Sequence, residues 1–239
     1  MVIMSRHPFA VVGPLAIVLI IWGDATAQTI RPLVSEYQSQ ARGRLEVVNE
    51  GDRPLNVVIE ARGFSVAEDG EMRDEPLDPR IRLKFSDESF RLPARQSRLV
   101  FYEASAENVP AWFVVYANFS GYPARDFNGV NVQLELPHVV YLLPKDGWKA
   151  SEIRVNSVER NHDTGTLVLS VENGGAHFGR LTGLEVQGVH RKVDVPGFPL
   201  FPGKQRRVEL TWEAGDEPRT VAVRSREFSV NYPLVIEPR

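Results

Sequence analysis

The hydrophobic pattern of this chain repeats at period two far more often than at period 3.6. Short runs rich in β-branched and aromatic residues recur, each closed by Gly, Pro, Asn or Asp. Residues 44–48 (RLEVV) alternate and end at Asn49, Glu50, Gly51 and Asp52; residues 55–59 follow, then a turn at 68–71. The series continues at 81–85, 90–93 and 98–102, in the dense run 112–119 (WFVVYANF), and in the long stretch 130–143. After a polar break at Lys145, Asp146 and Gly147 the pattern restarts at 153–158, 166–171, 181–186, 190–195, 207–212, 220–224 and 232–236. Seven or so short strands in each half predict an all-β chain of two immunoglobulin-like β-sandwich domains, residues 28–144 and 145–239. The 17 prolines and 18 glycines, spread along the chain, suit many strands joined by turns.

Residues 1–27 have a different grammar. Arg6 precedes an apolar run over 9–22 (FAVVGPLAIVLIIW), and Ala25, Thr26 and Ala27 supply small residues at the spacing a signal peptidase accepts. The run is shorter than the roughly 20 residues that span a bilayer. It reads as a signal peptide cleaved after Ala27, with a retained anchor as the alternative. The expected mature chain is exported and has no stable membrane insertion.

Composition then removes whole classes of function. There is no cysteine, so disulfide scaffolds, thiol nucleophiles and Cys-ligated zinc are all excluded. With 28 basic and 31 acidic residues the formal charge is −3, which gives no electrostatic case for nucleic acid or for an anionic membrane. Of the five histidines, His7 lies in the leader, and His138, His162, His177 and His190 show no metal-ligand spacing. No G-x-S-x-G or phosphate-loop pattern occurs, and residues 159–163 (ERNHD) read as a turn between strands. The chain is therefore expected not to be an enzyme and to need no cofactor or metal. Arg206, Arg207, Arg224 and Arg226 read as solvated strand faces. Trp112, Trp148 and Trp212 keep a carbohydrate-binding sandwich open as a rival, with Trp112 in a strand apolar enough to be core.

The halves share two local motifs. Residues 45–51 (LEVVNEG) resemble 169–175 (LSVENGG), each a strand running into an Asn/Gly turn. Residues 92–96 (LPARQ) resemble 201–205 (FPGKQ), each a proline-led turn before an alternating strand.

Residues 128–136 (NGVNVQLEL) carry the most functional content. Val130, Val132, Leu134 and Leu136 share one face and Asn131, Gln133 and Glu135 the other. A half-buried strand in a private core gives this pattern. So does an edge strand that lends backbone and apolar side chains to a partner. Periodicity does not separate the two. Residues 121–129 before it read as a loop able to cover the apolar face.

With these residues in view, the chain resembles the periplasmic pilus-assembly chaperones of the chaperone–usher pathway. The resemblance runs through 43–55, 89–98 and 130–144 in the first half and 165–173 and 202–208 in the second. It implies an L-shaped pair of immunoglobulin-like domains located in the periplasm. It implies capture of a pilus or fimbrial subunit that lacks its last strand, completed by donor-strand complementation and passed to an outer-membrane usher. Val130, Val132, Leu134 and Leu136 become the donor residues. The family's cleft arginine and lysine, which anchor the subunit's C-terminal carboxylate, fall near Leu33 and on Val139, neither of them basic. Arg31 and Lys145 are the nearest substitutes as cleft anchors.

Overall fold

The computed structural model describes residues 28–121, 133–161, 164–213 and 215–234. The leader read from residues 1–27, the donor residues Val130 and Val132, and nearly all of the 121–129 loop lie outside them.

Strands β1 (Thr29–Arg31), β3 (Gln40–Asn49), β8 (Gln96–Ala106) and β6 (Ile81–Phe85) form one sheet in the order β1-β3-β8-β6. Facing it are β2 (Val34–Gln38), β10 (Leu134–Leu143), β9 (Ala111–Ser120), β4 (Leu55–Val66) and β5 (Met72–Glu75), in that order, with β7 (Ser89–Leu92) also on β4. Alternation sets the faces: Leu45 and Val47 of β3 and Val100 and Tyr102 of β8 meet Val57 and Ile59 of β4 and Phe113, Val115 and Phe119 of β9 in one core.

The second sandwich pairs β11 (Ile153–Asn161), β12 (Thr166–Asn173) and β16 (Gln205–Thr211) against a sheet ordered β14-β13-β17-β18. Those four strands are Lys192–Pro196, Gly179–Gly188, Pro218–Ser225 and Ser229–Pro233. The short β15 (Pro199–Leu200) pairs with β13. Leu167, Leu169, Leu184, Val186, Val221, Val223 and Trp212 fill this core. The molecule is thus all-β, two immunoglobulin-like sandwiches, as the turn-spaced strands predict. One local expectation is corrected. Residues 159–161 continue β11 against β12, because Glu159, Arg160 and Asn161 keep their ladder partners Val168, Leu167 and Thr166.

The two repeated motifs meet in space, once in each sandwich. Asn49, fully buried, donates Nδ2–H to the carbonyls of Arg53 (2.7 Å), Pro93 (3.1 Å) and Leu92 (3.3 Å), and its Oδ1 accepts from Gly51 N–H. Asn173, equally buried, donates to His177 (2.7 Å) and Leu200 (3.1 Å) and accepts from Gly175 N–H. Asn49 ties its own turn to the proline-led turn at Leu92 and Pro93, and Asn173 ties its own to Leu200 just before the second such turn, filling backbone acceptors that burial would otherwise strand.

The sandwiches touch through side chains on the outer face of the β9-β10 sheet. Phe64, Val114, Tyr116 and Tyr141 pack with Phe178 and Phe201 of the second sandwich. Tyr141 stacks on Phe178 with centroids 4.3 Å apart, and Trp112 meets Phe201 edge-on at 4.6 Å. A second contact comes from the β4–β5 turn. Arg207 N–H donates to the Glu68 carbonyl (2.8 Å), and Gln205 Nε2 donates to Glu68 Oε1 (2.7 Å). Gly70 has φ +91°, and a Cβ there would run into the Arg206 guanidinium, so the turn closes on the second sandwich only with glycine.

Candidate functional site

The site begins with Pro32. Without an N–H it cannot extend the β1 ladder, which stops at Arg31 after pairing with Glu46. The chain crosses to the opposite sheet and resumes as β2, parallel to β10, from Val34↔Val139 to Gln38↔Leu143. The edge of the sandwich is therefore shared: β1 covers one end of one sheet, and β2 covers the other end of the facing sheet.

This leaves β10 half covered. On one side it pairs with β9 along nearly its whole length, Leu134↔Phe119 to Leu142↔Ala111. On the other side β2 begins only at Val139, so residues 134–138 carry no strand among the described residues. Val139 N–H donates outward to the Leu33 carbonyl at 2.8 Å. Backbone N–H and C=O of one residue point the same way in a strand, so Glu135 and Pro137 share that outward direction. Pro137 has no N–H, which suits an open edge. The edge thus offers the Glu135 N–H and two carbonyls.

Side chains divide by parity. Leu134 and Leu136 are half-buried and pack against the first core, at its mouth, in line with the buried His138, Val140 and Leu142. Val139, Tyr141 and Leu143 turn toward the aromatic contact with the second sandwich. On that face Glu135 is held by Arg62, whose guanidinium also binds Glu60 (3.1 Å) and Asp74 (2.9 Å). Arg62 lies 4.8 Å over the Tyr116 ring, and Tyr116 Oη donates to Asp74 (2.8 Å). Desolvation and the bond to Asp74 push the Tyr116 hydroxyl up to about 12.

A buried polar chain sits where the open half of β10 ends. Nδ1–H of His138 donates to the Pro32 carbonyl at 2.6 Å. Nε2 is then the acceptor for Tyr102 O–H at 2.9 Å, and Tyr102 Oη lies 3.1 Å from Tyr37 Oη. Desolvation pulls His138 below the ordinary histidine value and outweighs the bond to Pro32. Desolvation and Tyr37 raise the Tyr102 hydroxyl.

The positions named by sequence distribute as follows. Leu33 and Val139, where the resemblance puts the cationic pair, are adjacent through their backbone bond and bring no charge. Arg31 lies on the outer face of the other sheet, its side chain 64% exposed and paired with Glu46 at 3.1 Å. Lys145 lines a groove of about 420 Å³ between the sandwiches, with Glu36, Arg180 and Arg226. Arg180 and Arg226 both approach Glu36, at 3.4 and 3.9 Å, and Arg180 lies 5.8 Å from the Tyr141 ring. Trp148 and Trp212 are buried in the second core, and Trp112 packs in the inter-sandwich cluster with its Nε1–H on the Phe64 carbonyl. Trp148 and Trp212 are therefore closed to a stacking ligand, and Trp112 is partly covered by Phe201. Sequence reading missed β2 and Arg62. Pro32 after a short run was a usable signal for the strand crossing.

No protein-family model matches the chain, and no curated protein matches it in sequence. Solved structures match its fold. The YadV chaperone superposes with a TM-score of 0.55 at 10% identity, covering 87% of this chain and 99% of that one. A chain of the Salmonella enterica SafA pilin–SafB chaperone complex gives 0.53 at 13% identity, covering 89% and 98%. A chain of the CsuC–CsuE chaperone–tip adhesion subunit complex of Acinetobacter baumannii gives 0.51 at 12% identity, covering 89% and 100%. At such identities the likeness is one of fold, two sandwiches in series over nearly the full length of each chain.

Proposed function

We propose that this protein is a periplasmic chaperone of fimbrial assembly that holds an incomplete β-sandwich subunit on the open half of β10. The carrying observation is the edge of residues 134–138, which no strand covers among the described residues, with Leu134 and Leu136 half-buried at the core mouth beside it. An unpaired edge is a template for strand addition, and a flanking apolar row gives the added strand a core to join. A client strand docked there takes its backbone bonds from Glu135 and Pro137 and buries Leu134 and Leu136 in a joint core. Val130 and Val132, which the sequence alternation groups with Leu134 and Leu136, are the other proposed donor residues. Donor-strand complementation is the mechanism this arrangement supports. Chaperones bound to a pilin and to a tip subunit are among the proteins sharing the fold, which supports fimbrial subunits as clients and an usher as the downstream acceptor. Of the two cleft anchors, Lys145 faces the inter-sandwich groove and is the one we retain for a client's C-terminal carboxylate. Arg31 is engaged on the opposite sheet.

The test is co-expression, in a periplasm, of the full chain with products of its neighbouring genes, followed by affinity capture and mass spectrometry. Capture of a small β-rich subunit by the wild type, lost in Leu134→Asp/Val132→Asp while circular dichroism stays native, supports the proposal. A partner retained by that variant would sink it.

A further inference from the structure

The outer face of the β1-β3-β8-β6 sheet is charged unlike the rest of the chain. Its rows read Arg31, Glu46 and Leu99, then Arg44 and Phe101, then Arg42, Glu103 and Lys84, then Gln40, Ser105 and Arg82. Five cations against two carboxylates give this one face a formal +3, on a chain whose total is −3. Arg31 is paired with Glu46 and Arg42 with Glu103. Among the described residues Arg44, Arg82 and Lys84 have no acidic partner.

At the middle of these charges stand two large apolar side chains, Leu99 at 43% and Phe101 at 53% exposure. Charge on edge strands protects them from pairing with other chains, and that accounts for Arg82 and Lys84 on β6. It does not account for the apolar Leu99 and Phe101 on β8, which lie just past the end of the β6 ladder at Tyr102, with Phe101 N–H and C=O both bonded to Ser86. Apolar residues ringed by arginine are the composition of a protein-binding surface rather than of a solvated sheet. A groove of about 470 Å³ opens beside Phe101, lined by Arg42, Gly43, Arg44 and Glu103 and floored by Tyr37 and Tyr102. The floor exists because residue 43 is glycine: a Cβ there would strike the Tyr37 hydroxyl and the Tyr102 ring.

We infer that this face docks an acidic polypeptide segment whose carboxylates meet Arg44, Lys84 and Arg82 and whose apolar residue enters the groove beside Phe101. The charged rows lie on the sheet that does not contain β10, while the groove is closed by Pro32, Ser35 and Tyr37 at the crossing between the sheets.

The test titrates the full chain against a short fluorescein-labelled peptide of alternating glutamate and leucine, with a lysine–leucine peptide and phosphatidylglycerol vesicles as controls. Fluorescence anisotropy should show binding of the acidic peptide only, weakened by salt. Arg44→Glu/Lys84→Glu should weaken it at least about tenfold, and Phe101→Ser by a similar factor. Arg44→Gln/Lys84→Gln serves if the reversal does not fold. Failure of the acidic peptide to bind, equal binding of the basic peptide, or unchanged affinity in the charge variants overturns the inference. Binding of vesicles without binding of the acidic peptide overturns it in favour of a lipid surface.

Discussion

His138 Nδ1 lies 2.6 Å from the Pro32 carbonyl oxygen, which pins the strand crossing between β1 and β2 to the residue where the open half of β10 ends. Desolvation rather than the bond to Pro32 favours the neutral imidazole, which donates to Pro32 from Nδ1 and accepts from Tyr102 at Nε2. Burial pulls the folded-state value below the ordinary one near 6.5, so the unfolded chain binds the proton first as pH falls. The stabilisation is complete above about pH 6.5 and is lost below it, with a slope of at most about 1.4 kcal/mol per pH unit from this group. Urea unfolding at a series of pH values should show that slope, and His138→Leu should remove it. The variant should also lose about 1–3 kcal/mol at neutral pH, because the Pro32 carbonyl and the Tyr102 hydroxyl lose their partner. A wild type and variant with parallel pH profiles would contradict the assignment.

Asn49 and Asn173 test whether the two sandwiches are built on one plan. Each side chain bonds a nearby turn and the chain at the start of a proline-led turn, Leu92 for Asn49 and Leu200 for Asn173, and each is fully buried. Asn49→Ala and Asn173→Ala should each cost about 2–3 kcal/mol, since buried carbonyls are left without donors. Replacement by Asp should cost more at neutral pH, because it puts a buried charge where an amide donor was. Chemical denaturation of the single variants measures both. A cost below about 0.5 kcal/mol would mean that water replaces the amide freely.

The Asn motifs show what the sequence made legible. The similarity of 45–51 to 169–175 and of 92–96 to 201–205 was visible, and so were β6, β9 and β12, whose apolar residues alternate or run unbroken. Three things were not. Residues 29–38 swap sheets at Pro32, so no single alternation spans them. Strand β5 is exposed throughout and held by backbone pairing to β4, which leaves no hydrophobic trace. Phe178 and Phe201 stand beside turns, outside any alternating run, yet they close the contact between sandwiches. Even β9 carried its signal only in part: a run apolar on both faces announces two neighbours but does not say that one is a second sandwich. At the candidate site the alternation of 130–136 was plain. Which edge stands open depends on where β2 starts, and that is a tertiary fact.

Phe201 illustrates the consequence. Its ring lies 4.6 Å from Trp112, 5.2 Å from Phe178 and 6.0 Å from Phe64. Phe201→Ala should cost about 3–5 kcal/mol in a site that cannot collapse fully. Because this cluster is the main apolar contact between the sandwiches, the loss should fall on their coupling. Calorimetry is expected to show one transition for the wild type and two separated transitions for the variant. A single transition, merely shifted, would place the coupling in the Glu68–Arg207 contact instead.

Arg62 governs how firmly the open half of β10 is held. Its guanidinium joins Glu135 of that segment to Glu60 on β4 and Asp74 on β5, at 2.9–3.2 Å. Bonds to Asp74, Glu60 and Glu135, in that order, raise its already high basicity, so it stays charged at every accessible pH. All four side chains are a third or more exposed. Solvent screening therefore limits the stability at stake to about 1 kcal/mol. The local effect should be larger than the global one. Arg62→Ala leaves three carboxylates facing one another and removes the side-chain tie from the start of β10 to β4 and β5. Amide hydrogen exchange at Leu136 should speed up about tenfold while exchange at Val140 and Leu142 stays near the wild-type rate. Arg62→Lys keeps the charge but not the forked geometry that reaches three acids, so it should recover only part of the protection. Higher salt should narrow the gap between wild type and Arg62→Ala. Uniform exchange along β10 in both proteins would mean that the β9 ladder alone holds the strand.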